Sequence, residues 1–101
     1  MPYIDPKARP GLDALMDPLI DQIKSLPLEE QDGVFDYIVT RMLKSLYHPP
    51  FFNFNRALGV LAALTQEYYR VVVAPYEDEK IRQFGSVKAK GESAKSRRGQ
   101  T

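Results

Sequence analysis

Large apolar residues recur along this chain at intervals of three and four. Leu12, Leu15, Met16, Leu19, Ile20 and Ile23 form the first run, with the spacing of one face of an amphipathic helix. Asp13 or Asp17 can cap its start. Pro18 suits the first helical position behind Asp17, or kinks a helix begun at Asp13. Ahead of it, MPYIDPKARP reads as an extended lead-in whose Tyr3 and Ile4 pack on the body. Leu26-Pro27 ends the run, because a residue before proline avoids helical geometry.

Leu28 to Gln31 fits a single turn before Asp32-Gly33, and a second helix is predicted over about Val34 to Tyr47. At about 100° per residue, Val34, Phe35, Ile38, Met42 and Leu46 share its apolar face. Thr40 and Lys44 point away, and Arg41 lies on the margin. His48-Pro49-Pro50 stops this helix. The following FFNFN reads as a loop in which Asn53 and Asn55 are helix caps and Phe51, Phe52 and Phe54 cover one end of the core.

A third helix is predicted over roughly Arg56 to Val73. Leu58, Leu61, Thr65, Tyr68 and Val72 lie along one line and Val60, Leu64 and Val71 along a second. So wide an apolar arc belongs to a central helix touched from several sides. Its polar strip holds Arg56, Glu67 and Arg70, with the small residues Gly59 and Ala63 among them. Those two permit close approach of another backbone, from the chain's own N-terminal arm or a second subunit, or are simply tolerated on an exposed face.

Pro75 then interrupts the pattern in Val73-Ala74-Pro75-Tyr76-Glu77-Asp78-Glu79-Lys80-Ile81. Proline lacks the donor for the fourth-back bond and clashes with the carbonyl of Val71. A helix continued through it would also turn Ile81 and Phe84 away from the core line. A reoriented helix starting at Pro75 fits better: proline favours the first helical position, and acids in the first turn complement the helix dipole. Gly85 suits its stop. Glu77, Asp78 and Glu79 therefore read as a helix start, since adjacent acids on a helix point about 100° apart and cannot clasp one ion.

The whole is an all-α fold, a compact bundle of three to four helices over residues 1–85, followed by a basic tail. Residues 1–85 hold 9 Lys/Arg against 12 Asp/Glu, and residues 86–101 hold 5 against 1. The tail has one large aliphatic residue, Val87, too little apolar surface to offset ordering entropy, so disorder is expected there. The absence of cysteine excludes disulfides, thiolate zinc sites and thiol catalysis. The longest apolar run, Ala57 to Leu64, is far short of the roughly 20 residues that span a bilayer. A cytoplasmic protein with no membrane association is expected.

The quoted Val73–Ile81 stretch, together with Asp32-Gly33, Tyr37, Thr40-Arg41, Asn55-Arg56 and Gly59-Val60-Leu61, resembles a known family. Its members are small all-helical proteins of bacteria, archaea and phages that open with MPYI and carry an APYED motif. The likeness covers about residues 1–87 and departs from the family at Phe84-Gly85-Ser86-Val87, where Asn-Gly-Asp-Val is the usual form. It implies an all-α fold and supplies no activity.

The chemistry offers few constellations. A magnesium-dependent nucleotide hydrolase of all-α type needs acids paired at three or four residues on facing helices. Glu29, Asp32 and Asp36 have that spacing, but Glu67 is followed three residues later by Arg70, so half the set is present. His48, the sole histidine, reads as a helix end. Arg41, Glu67, Arg70, Glu77 and Asp78 form the candidate polar cluster: Glu67 pairs with Arg70, and Arg41 takes a carboxylate partner from Glu67, Glu77 or Asp78, or joins Arg56 and Arg70 in an anion pocket. Tyr37, Tyr47, Tyr68, Tyr69 and Tyr76 occupy core or core-margin positions and are expected to pack. Lys88, Lys90, Lys95, Arg97 and Arg98 can attract phosphates without sequence preference, a weak nucleic-acid accessory role. No cofactor is implied. The preferred reading is a non-enzymatic interaction module, with an unknown protein partner or with itself as a homodimer through Gly59 and Ala63.

Overall fold

The computed structural model describes residues 3–92. Every regular element among them is helical: a 3-10 turn Pro6–Ala8, α1 Arg9–Lys24, α2 Leu28–Leu46, α3 Phe51–Tyr68, a π-helical turn Tyr69–Val73 and α4 Ala74–Phe84. The all-α expectation is met. Backbone contacts divide the chain into two compact units, Met1–Leu64 and Thr65–Thr101, with the division inside α3.

Helix α1 starts earlier than either aspartate predicted. Asp5 Oδ1 accepts from the Lys7 N–H at 2.9 Å and the Asp5 carbonyl from the Ala8 N–H at 2.9 Å, which nucleates the 3-10 turn. Pro10 falls in the first turn of α1, where its missing N–H costs nothing. Pro18 lies inside the helix, which continues through it to Lys24. The lead-in is therefore helical from Pro6 onward.

Helix α2 begins directly after Pro27 and includes Gly33, where a break was expected. A glycine costs about 1 kcal/mol against alanine in a helix interior, too little to interrupt a 19-residue ladder. Glu29 and Glu30 sit in its first turn, favourably for the dipole, and Gln31 Nε2 donates to the Leu26 carbonyl at 2.9 Å. At the far end Tyr47 turns extended, and His48 Nε2 lies 3.1 Å from the Ser45 carbonyl. The histidine thus serves the helix end.

FFNFN is helix, not loop: α3 starts at Phe51. The Asn53 N–H donates to the Pro50 carbonyl at 2.9 Å and its Nδ2 to the His48 carbonyl at 2.9 Å. Asn53 therefore ties the α2–α3 connection from within the first turn. Phe51 and Phe52 remain exposed.

The expected break at Pro75 is absent. Helical backbone runs from Phe51 to Phe84, and Tyr68, Val73 and Ala74 all have right-handed helical dihedrals. The chain accommodates the proline by widening one turn. The Ala74 N–H reaches back five residues to the Tyr69 carbonyl, so the ladder has already shifted where Pro75 has no donor. One extra residue per turn makes every later side chain lag by about 100°. Phe84 thereby moves from roughly 120° off the Thr65–Tyr68 line to within about 40° of it. The wide turn performs the reorientation that a break was predicted to perform, and Glu77 does not sit at a free helix start.

Ala57, 8% exposed, is the buried hydrophobic residue among those described. On α2, Val34 and Ile38 are half-buried on one side and Val39 and Leu43 on another. The large apolar residues between them stay open: Phe35 is 62% exposed and Leu46 71%.

Candidate functional site

In residues 3–64 the helices meet along open grooves. Leu19 of α1 and Ile38, Met42 and Leu46 of α2 line an apolar groove of about 490 Å³ that also includes Arg41 and Ser45. Tyr47, Phe54, Ala57, Leu58 and Leu61 join Leu43 in a second, of about 280 Å³, between α2 and α3. A third, polar groove of about 350 Å³ follows α2 past Tyr37, Thr40, Arg41, Lys44 and Ser45. Arg41 belongs to both the polar groove and the α1–α2 groove, and neither it nor Lys44 makes an ion pair among the described residues. Arg56 lies over the Tyr47 ring at 5.5 Å and donates to Asn53 Oδ1 at 3.2 Å. Gly59 is exposed, with nothing near the place a Cβ would take, and Ala63 is half-buried. No described residue of the N-terminal arm closes on Gly59.

In residues 65–92 the polar side chains pair along their own helical run. Arg70 donates to Glu67, three residues back, and Arg82 Nε donates to Glu79 at 3.0 Å. The Tyr69 hydroxyl donates to Glu77, eight residues on, spanning the wide turn and Pro75. That hydrogen bond, then the Glu77 charge, then desolvation and Asp78, push the Tyr69 phenol above its ordinary range. Asp78 is exposed. Lys80 Nζ lies 5.4 Å from the Tyr76 ring and 5.7 Å from that of Phe84. Tyr37, Tyr68, Tyr69 and Tyr76 are all exposed, contrary to the packing expected of them.

The α4 stop is set by Gly85, whose N–H donates to the Ile81 carbonyl at 2.7 Å. Its φ of 79° with ψ of 155° is a conformation that only glycine adopts without strain. The turn folds Ser86 and Val87 beside Ile81 and Phe84 around a groove of about 410 Å³. Lys88 and Lys90 are exposed beyond it, while Lys95, Arg97 and Arg98 lie outside the described residues.

Among the described residues no three His, Cys, Asp or Glu side chains come together as a possible metal-ligand set. No helix among them is long and apolar enough to cross a membrane.

The Glu67–Arg70 pair follows from three-residue spacing, but the Tyr69–Glu77 bond does not, and its one advance signal was a proline within an apolar helix. A family model described as a domain of unknown function, DUF6899, matches residues 1–87. The chain belongs to this family. The DUF6899 match takes in all of α1 to α4 and the Gly85 turn, and it ends before Lys88. No curated protein and no solved structure matches the chain.

Proposed function

We propose that this DUF6899 protein is a non-enzymatic helical interaction module that receives a polypeptide partner on the apolar grooves of α1, α2 and α3. One observation carries the reading. Side chains spaced for burial, among them Leu15 at 77% exposed, Phe35 and Leu46, remain open in the single chain. Isolated exposed apolar residues are ordinary, but contiguous stripes of them on adjoining helices mark interaction surfaces. The alternative of a magnesium-dependent hydrolase on Asp32, Asp36 and Glu67 has Arg70 where a second carboxylate is needed beside Glu67, and Arg70 donates to Glu67.

A photo-crosslinking residue introduced at Met42, inside the α1–α2 groove, tests this in cells. The expected result is an adduct carrying a second polypeptide, with none from the same probe at the exposed Ala14, which faces away from the apolar stripe of α1. Absence of any polypeptide adduct at Met42 would remove the reading.

A further inference from the structure

We infer that the polypeptide covering the α1–α2 face is a second copy of this chain, an inference that rests on the interaction reading above. Its first support is area. Leu12, Leu15, Met16, Leu19 and Ile20 on the α1 stripe and Phe35, Met42 and Leu46 on the α2 stripe are each between 38% and 77% exposed, together on the order of the 800 Å² that each partner buries in an ordinary stable interface. With Ala57 as the buried hydrophobic residue, these helices also lack a core of their own. A partner that supplies one must be present whenever the chain is folded, and a copy of the chain always is.

The second support is charge. Residues 1–36 hold three Lys/Arg against eight Asp/Glu, and residues 37–64 hold three Lys/Arg and no acid. Asp13, Asp17 and Asp21 recur every four residues along α1, Asp13 next to the apolar stripe at Ile20 and the other two stepping about 40° further round at each interval. Arg41 lines the α2 groove together with Met42 and Leu46, and Lys44 lies next to Arg41 in the polar groove that adjoins it. None of these five charged side chains makes an ion pair among the described residues. A two-fold interface uses one patch twice, so a patch with an acidic part and a basic part closes on itself when each copy's acids lie over the other's bases. The α1–α2 face has both parts.

Two full-length variants test this by complementation. Arg41→Glu with Lys44→Glu makes both parts of the patch acidic, and Asp13→Lys, Asp17→Lys and Asp21→Lys together make both basic. Sedimentation of each variant alone is expected to show self-association at least tenfold weaker than in the unaltered chain. An equimolar mixture regains it as a one-to-one heterodimer, because each edge again meets its opposite. Should a variant lose helical circular dichroism alone, mixing is expected to restore it. A mixture that associates no better than its components, or recovers no helicity, overturns the inference. So does a Met42 photo-adduct whose mass belongs to another protein, although that result leaves the interaction reading standing.

Discussion

In residues 65–92 most charged side chains of the helical run find partners on it: Glu67 with Arg70, Glu79 with Arg82, Glu77 with Tyr69, and Lys80 over the rings of Tyr76 and Phe84. In residues 3–64, Asp13, Asp17, Asp21, Arg41 and Lys44 make no ion pair among the described residues, and Asp13 and Arg41 edge apolar stripes that stay open. Pairs three or four residues apart need only a helix, and contribute little when exposed. Charges beside an uncovered apolar stripe do something else. They leave its chemistry available to a second surface and select which surface fits. The two regions are built of the same element and differ in whether their side chains are satisfied locally.

The largest effect is expected in the first region. Leu19→Asp with Met42→Asp places two carboxylates in the α1–α2 groove. If that groove is covered in the working protein, the loss is about 2–5 kcal/mol per site, from the missing apolar contact and the buried charge. Sedimentation would show association weakened more than a hundredfold. Unchanged association would mean the groove faces water in solution, erasing the contrast between the regions.

Pro75→Ala addresses the second region. Returning a donor at residue 75 removes the reason for the wide turn and is expected to stabilise the run locally by about 1 kcal/mol or more. Amide exchange of residues 74–80 would slow. Unaltered protection would show that something other than the proline sets the turn. Gly85→Ala is expected to cost about 1–3 kcal/mol locally, since its backbone lies in a glycine-only region, and to speed exchange of the amides that close α4.

Glu77→Gln tests the bond across the turn. Tyr69 is held above its ordinary value of 10.0 by the Glu77 hydrogen bond first and the Glu77 charge second. A folded-state value raised in this way gives a contribution that is complete below pH 10 and is lost as pH rises through the shifted value. Phenolate absorbance should therefore show one tyrosine titrating late in the unaltered chain, and that lag should shrink in Glu77→Gln. Identical titration curves would count against the bond. The smallest effect belongs to Arg82→Ala, where an exposed pair at three-residue spacing contributes about 0.2–0.5 kcal/mol.

Much of this organisation was legible in the residues. The three- and four-residue spacing of Leu12 to Ile23 and of Leu58 to Val72 called for helices. His48-Pro49-Pro50 and Gly85 ended them where the structure does. What misled was punctuation inside helices. Gly33 carries a local preference against continuation, yet a helix already nucleated gains a bond with every added residue and absorbs a cost of this size. Asn53 serves the start of α3 from inside its first turn, and Pro75 is met by the widened turn. A widened turn leaves no trace in a pattern read at a fixed 3.6-residue period. For the candidate site, the apolar stripes and the Glu67–Arg70 pair could be read off directly. Which stripes one chain leaves open could not, because the same spacing serves packing within a chain and packing between copies.

The central claim, that the α1–α2 face is covered by a second copy, is tested most directly by the mass of the full-length protein in solution, measured by sedimentation equilibrium across a wide concentration range. The account predicts a mass approaching twice 11.5 kDa as concentration rises. A constant 11.5 kDa at every concentration would contradict it.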